Sequence, residues 1–174
     1  MILETDNLIK KKVCMLGAFS VGKTSLVRRY VDNIFSEKYQ TTIGVKIDKK
    51  IVEVEGQKLV LLLWDLAGRD GIVDLRTSYL RGASGYLLVV DKTRTNTLQI
   101  AVDIQKSVQE NLGNVPFITL INKWDLEGKW DIGEEAITDL RTKGWEVMKT
   151  SAKTNQCVDE AFKELGSKMI HRDK

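Results

Sequence analysis

The strongest constraint on the fold is a stretch with the spacing G-x-x-x-x-G-K-T, which occupies residues 17–24. It follows an apolar run at residues 13–16 that is typical of a buried strand, and it opens a helical pattern over residues 24–31. In this strand–loop–helix setting the backbone N–H groups of the loop converge on phosphate oxygens, and the helix N-terminus adds positive dipole character. The sequence therefore predicts a phosphate-binding loop after the first strand.

Each part of this loop has a separate expected role. The two glycines allow backbone shapes and a close approach that a Cβ would block. Lys23 is expected to reach the β- and γ-phosphates and to assist catalysis, and the Thr24 hydroxyl is expected to coordinate Mg²⁺. The predicted phosphate contacts are Ser20, Val21, Gly22, Lys23, Thr24 and Ser25. By itself the motif indicates a nucleotide phosphate and does not separate a GTPase from an ATPase or a kinase.

The rest of the chain alternates strand patterns with helix patterns. Apolar or β-branched runs predict further strands at residues 45–54, 58–64, 86–90, 116–121 and 146–149, and a turn at 55–57 makes the first two an antiparallel hairpin. Apolar residues recur at helical spacing over 100–112 and 158–169, with Thr154 or Asn155 as the N-cap of the second helix. This alternation predicts a mostly parallel sheet covered on both faces, with the ligand at the carboxyl ends of the strands.

Two segments near those strand ends are suited to reading a base. In Asn122-Lys123-Trp124-Asp125, the Asp125 carboxylate can accept hydrogen bonds from the N1–H and 2-amino groups of guanine, a donor pair that adenine lacks. The stem of Lys123 can lie along the base plane. In the later segment, Ser151-Ala152-Lys153, the Ala152 N–H could bond the guanine O6, and the same residues could also serve as a helix N-cap box.

Composition narrows the classes of function and the cellular locations that remain possible. The net charge of +3 comes from dispersed lysines and arginines, so we expect no nucleic-acid partner. Two cysteines cannot build a disulfide framework, which favours a reducing, cytoplasmic location. The single histidine, His171, nearly excludes histidine-based catalysis and zinc ligation. No apolar run reaches the ~20 residues that a membrane span needs. A single proline provides no Pro-rich linker, so one domain is expected.

The motifs together resemble the small GTPases of the Ras superfamily. The phosphate loop, Asp65-Leu66-Ala67-Gly68, N-K-x-D and S-A-K follow the order and spacing of that family from about Lys11 to Met169, and residues 42–45, 64–65 and 75–83 look Rab-like. The resemblance implies a P-loop NTPase (Ras-like) α/β fold, with a six-stranded, mostly parallel sheet that has one antiparallel edge strand, and five helices. It also implies a domain at 11–170 between tails at 1–10 and 171–174.

The resemblance also assigns roles in a two-state switch that binds GTP or GDP with Mg²⁺. Phe35 matches the residue that packs on the guanine, and Tyr39 matches one that covers the phosphates. Thr42 matches the threonine that ligates Mg²⁺ and senses the γ-phosphate. Asp65 would complete a metal set of Thr24, Thr42 and Asp65, and the Gly68 N–H would bond the γ-phosphate. Loss of that phosphate would release both loops.

Two residues depart from the family pattern beside the γ-phosphate. Relatives carry a glutamine that orients the attacking water where this chain has Arg69, and arginine cannot accept a hydrogen bond. We therefore predict hydrolysis slower than the ~10⁻⁴ s⁻¹ of an unassisted Ras-type enzyme. Alternatively, Arg69 stabilises transition-state charge in cis or is simply exposed. Phe19 replaces a small residue and either crowds the site or points to solvent.

The expected partners follow from the same resemblance. They are protein effectors that contact residues 36–47 and 69–81, an exchange factor and a GTPase-activating protein, acting on a monomer. Ile2 is incompatible with myristoylation and residues 170–174 contain no cysteine for prenylation. Either a lipidated tail is missing from this sequence, or the protein acts through protein partners, which could also bring it to a membrane. Two rivals remain: a hydrolysis-deficient pseudo-GTPase scaffold, and a P-loop ATPase or nucleotide kinase, against which Asp125 argues.

Overall fold

The computed structural model describes residues 8–38, 41–68, 77–128 and 131–174. Within these ranges the strands are β1 Ile9–Gly17, β2 Val45–Val54, β3 Gln57–Leu66, β4 Gly85–Asp91, β5 Phe117–Asn122 and β6 Val147–Lys149. The helices are α1 Lys23–Asp32, α2 Thr77–Leu80, α3 Asn96–Leu112, α4 Glu134–Thr142 and α5 Val158–Arg172. None of these helices is both long enough and apolar enough to cross a membrane.

The strands form one sheet in the order β2-β3-β1-β4-β5-β6. Among the described strands only β2 runs antiparallel to its neighbour, and the other pairings are parallel, which confirms the predicted Ras-like sheet. The β2–β3 hairpin turns at Glu55 and Gly56, whose φ angles of 50° and 76° are both positive, as a two-residue type I′ turn requires. The parallel strands need crossovers, and helices provide them.

Two layers of helices bury the two faces of the sheet. Helices α1 and α5 cover one face, where the rings of Tyr30 and Phe162 stack with their centroids 3.9 Å apart. Helices α3 and α4 cover the other face through side chains such as Ile104 and Ile137. All seven residues of β4 are buried, as expected for a strand covered on both faces. The sheet is therefore a rigid base whose carboxyl edge can hold loops in fixed positions.

The ends of two elements differ from the sequence-based expectation. Strand β1 begins at Ile9, ahead of the apolar run at residues 13–16, and α5 runs to Arg172. Helix α5 begins at Val158 after Cys157, and not after Thr154 or Asn155. The reason lies in the preceding loop, where the backbones of Ser151 and Gln156 exchange two N–H···O bonds of 3.1 Å and so postpone the helix.

Candidate functional site

The predicted binding residues meet around a cavity of about 340 Å³ at the carboxyl edge of the sheet. Most of them line it directly: Ser20, Gly22, Lys23, Thr24, Ser25, Phe35, Thr42, Gly68, Asn122, Lys123, Asp125, Ala152 and Lys153. Val21, Asp65 and Ser151 are buried next to this lining. Tyr39 and Arg69 fall outside the described residues. Cavities of this size are typical of small-molecule sites.

Glycine is required at both ends of the phosphate loop. Gly17 has φ +149°, and a Cβ there would lie 2.4 Å from the Val89 carbonyl oxygen. Gly22 has φ +102°, and a Cβ there would lie 2.3 Å from the Asn122 amide nitrogen. Gly22 is also the N-cap of α1 and provides no side-chain cap. The first N–H groups of the helix can therefore bind an anion.

The Lys23 ammonium is buried at the start of this loop. Its Nζ donates to the carbonyl oxygens of Gly17 at 3.0 Å and Ala18 at 2.7 Å. A Cβ built on Gly68 would come within 2.5 Å of the same nitrogen. The positive charge therefore lies between the phosphate loop and Gly68, as a γ-phosphate contact by both residues requires.

Three oxygen-bearing side chains meet at the point predicted for the metal. The Thr24 hydroxyl donates to Asp65 Oδ2 at 2.6 Å and lies 2.6 Å from the Thr42 hydroxyl. Asp65 Oδ1 is buried and makes no hydrogen bond within the described part of the chain. Burial raises the pKa of Asp65, and the Thr24 hydrogen bond and the Lys23 charge offset only part of that rise. Hydroxyl and carboxylate oxygens suit Mg²⁺, so these residues fit the ion that the sequence predicts.

The N-K-x-D segment is tied to the phosphate loop by its first two side chains. Asn122 donates its amide N–H to the Val21 carbonyl at 3.0 Å and accepts a 3.2 Å hydrogen bond from the Thr150 hydroxyl. Lys123 donates to the Ser20 carbonyl at 2.9 Å. The base-reading segment and the phosphate loop are therefore one connected structure.

The Asp125 carboxylate is oriented by the S-A-K loop. The Ser151 hydroxyl donates to Asp125 Oδ1 at 2.6 Å and accepts from the Thr154 N–H at 3.1 Å. Phe35 lines the same cavity and packs against the α1–α5 side of the core. The groups predicted to read and stack on guanine thus line the same cavity.

Sequence reasoning missed three charged residues that support the site. Asp91, at the end of β4, is 1% exposed, and its Oδ2 accepts hydrogen bonds from Lys123 at 2.8 Å and Arg94 at 3.1 Å. Arg29, on α1, donates to the carbonyls of Ala152 at 2.7 Å and Lys153 at 2.9 Å. A polar residue that ends a buried strand was a signal for Asp91, whereas nothing in the sequence marked Arg29.

Comparison with known proteins agrees with this geometry. Residues 12–171 match the model of the Ras family. The chain belongs to the Ras family. Ras-related protein Rab-13 of Canis lupus familiaris is 37% identical over 161 residues, which cover 91% of this chain and 79% of the relative. Ras-related protein Rab-32C of Dictyostelium discoideum is 35% identical over 164 residues, covering 92% and 73% respectively.

This Ras-family chain is Rab-like, and family membership supports a small GTPase that works as a molecular switch. Guanine nucleotide and Mg²⁺ are the ligands that such membership implies. The residues around the cavity suit both, because hydrogen-bond acceptors lie at the base side and a cation and metal-type oxygens lie at the phosphate side. The ATPase and kinase alternatives have no comparable support.

Proposed function

We propose that this protein is a GTP/GDP switch with slow, Mg²⁺-dependent hydrolysis that signals through residues 36–47 and 69–81. The observation that carries this proposal is the convergence of three groups on one cavity: Lys23, the Thr24–Thr42–Asp65 cluster and Asp125. In this arrangement Lys23 would bind the phosphates, the cluster would bind the metal ion, and Asp125 would bind the base. We also propose a monomeric, cytoplasmic protein whose GTPase domain spans about residues 11–170.

The switch would act through Thr42 and Gly68. Thr42 belongs to the segment between α1 and β2, and its hydroxyl lies 2.6 Å from that of Thr24 at the metal position. Gly68 follows β3 and lies against Lys23. A γ-phosphate with its ion would hold both segments, and its departure would free them. An ion pair of 2.8 Å between Glu37 and Lys153 links the first segment to the base-reading loop.

Replacement of Asp65 tests the metal part of this proposal. If Asp65 holds Mg²⁺, Asp65→Asn should release GDP in excess Mg²⁺ at least about tenfold faster than wild type, a difference of about 1.4 kcal/mol. Chelation of the ion should speed release from wild type but hardly change release from the variant. The exposed Asp103→Asn on α3 is the matched control and should behave as wild type. An unchanged Mg²⁺ dependence in Asp65→Asn would exclude Asp65 from the metal set.

Slow turnover is proposed from two residues. Arg69 replaces the water-orienting glutamine, and arginine is a donor only. Phe19 lines the cavity, which favours crowding beside the γ-phosphate over the solvent-facing alternative. A pseudo-GTPase scaffold locked in one nucleotide state is the second candidate, and the same two residues favour it.

Single-turnover hydrolysis separates these possibilities. Arg69→Gln should raise the rate constant severalfold, because glutamine both donates to and accepts from the attacking water. If Arg69→Ala is instead slower than wild type, the arginine assists catalysis in cis. Identification of the nucleotide and metal that copurify with wild type completes the test. If bound GTP remains unhydrolysed in the wild type and in both Arg69 variants, the locked scaffold is favoured.

An apolar surface near the switch segments is proposed as the effector site. Ile43 is 90% exposed and Ile47 is 50% exposed, and Ile47 pairs with Trp64 across the β2–β3 hairpin. The Lys12 ammonium lies 3.7 Å from the centroid of the Trp64 ring. Exposed apolar groups near an aromatic ring are typical of protein-binding surfaces.

A further inference from the structure

Two cations from outside the phosphate loop hold its consecutive carbonyl groups. Arg94 Nη2 donates to the Phe19 carbonyl at 2.6 Å, and Lys123 Nζ donates to the Ser20 carbonyl at 2.9 Å. Both cations also bond one carboxylate oxygen, Asp91 Oδ2, at 3.1 Å from Arg94 Nε and 2.8 Å from Lys123 Nζ. A single buried carboxylate therefore sets the position of both donors.

Asp91 is itself fixed on the rigid part of the fold. It ends β4, the strand that is buried along its whole length, and its Oδ1 accepts hydrogen bonds from the N–H and hydroxyl of Thr93 at 2.9 and 2.7 Å. Burial alone would raise the pKa of Asp91, but hydrogen bonds from Lys123 and Thr93 outweigh it and lower the pKa below its ordinary value. Arg94 is thus held by a charged partner that cannot move with the loop.

The contact with Phe19 determines where a neighbouring N–H points. A trans peptide group is planar, so its C=O and N–H point in opposite directions. Because Arg94 holds the Phe19 carbonyl, the N–H of Ser20 in the same peptide points away from Arg94. Ser20 also has φ +63°, a conformation that is uncommon for residues with a side chain. The Arg94 contact with the adjoining Phe19 carbonyl helps to hold it.

We propose that Arg94, held by Asp91, is a positioning residue for phosphate binding, because it fixes the Phe19–Ser20 peptide so that the Ser20 N–H faces the phosphate chain. This inference rests on the proposed binding of guanine nucleotides. Arg94 itself need not touch the ligand, and it does not line the cavity. Its effect should therefore depend on the phosphates and be independent of the base.

Replacement by lysine tests this role while keeping the charge. A guanidinium presents Nε to Asp91 and Nη2 to Phe19 at once, whereas an ammonium is a point charge on a flexible stem. Loss of one charge-assisted hydrogen bond predicts that Arg94→Lys lowers GDP affinity about tenfold. GMP presents only the phosphate next to the sugar, so its affinity should change less than about twofold. The ratio of GDP to inosine diphosphate affinity should stay at the wild-type value.

Two variants provide the comparison. Arg141→Lys removes the same kind of contact, a guanidinium bond of 3.1 Å to the Val147 carbonyl, but on α4, and should change no nucleotide affinity. Arg29→Lys disturbs the loop that carries Ala152, whose N–H is expected to bond the guanine O6, and should lower the affinities for GDP and GMP by the same factor, because both nucleotides carry that base. A positioning role for Arg94 therefore predicts a pattern of nucleotide affinities that neither a general loss of stability nor a defect in base reading would reproduce.

The outcomes are distinct. An Arg94→Lys protein that binds GDP as wild type does, loses GDP and GMP affinity equally, or changes its base preference overturns the positioning role. A double-mutant cycle with Asp91→Asn should show that the Arg94→Lys effect shrinks when Asp91 is neutral, and full additivity would count against the pair. Failure of wild type to bind guanine nucleotides would instead reject the proposed function.

Discussion

Asp125→Asn is expected to lower the affinity for GDP by at least about a hundredfold, because two hydrogen bonds to a charged acceptor would be lost. The Ser151 hydroxyl fixes the carboxylate through a 2.6 Å bond to Oδ1, so it faces the ligand in a defined orientation. Asparagine offers one acceptor oxygen and places N–H donors where guanine also presents donors. Xanthosine diphosphate carries a carbonyl in place of the 2-amino group, and its affinity for the variant should rise.

Titration with both nucleotides measures this exchange of preference directly. Asp139→Asn is the matched control, because Asp139 is an exposed aspartate on α4 that pairs with Lys143 at 2.8 Å. It should bind GDP as wild type does. If Asp125→Asn kept the wild-type GDP affinity, the base would have to be read elsewhere.

Lys23→Met is expected to lower the affinities for GTP and GDP by at least about a hundredfold, since the phosphate chain would lose its buried counter-charge. Lys23 is 5% exposed, and its ammonium is held by the carbonyls of Gly17 and Ala18. Methionine has a similar length and keeps the apolar contacts of the stem without the charge. Saturating GDP raises the unfolding temperature of a protein that binds it, and this rise should nearly vanish in the variant.

Lys11→Met supplies a stringent control for Lys23→Met. Lys11 is also a buried lysine, at 6% exposure on β1, but its partner is Asp173 at the end of the chain. Its replacement should lower the unfolding temperature and leave the GDP-induced rise intact. A GDP-induced rise that survived in Lys23→Met would contradict a role for this ammonium in phosphate binding.

The sequence allowed the fold to be predicted because its signals are local. Each buried strand is a short apolar run, and the hairpin turn carries a glycine at Gly56 where φ is positive. The positions of Thr24 and Asp65 could be inferred together, since motifs that end parallel strands share one edge of the sheet. Spacing and periodicity predicted the mostly parallel sheet and its ligand-binding edge, whereas the six strands, the five helices and the metal role of Asp65 were expected from the resemblance to the Ras superfamily.

The supporting contacts could not be inferred in the same way. Arg29 reaches a carbonyl 123 positions away, and Arg94 reaches one 75 positions away. Long side chains can extend toward many partners, and only the packed backbone decides which carbonyl they meet. The start of α5 at Val158 had the same origin, because the pairing of Ser151 with Gln156 overrode the local preference for an N-cap at Thr154 or Asn155.

The position of β2 at the edge of the sheet affects which partners this protein can bind. In the part of the chain that the structure describes, β2 pairs only with β3, so its outer row of peptide groups is open to another strand. Lys46 and Lys49 are exposed on this strand, and the ammonium group of Lys50 is held against Tyr30. Lysines on an edge strand are a standard deterrent to aggregation, because pairing with a second copy would have to take their charges out of water. A strand of another protein that is rich in acidic side chains would instead be attracted to the lysines at this edge.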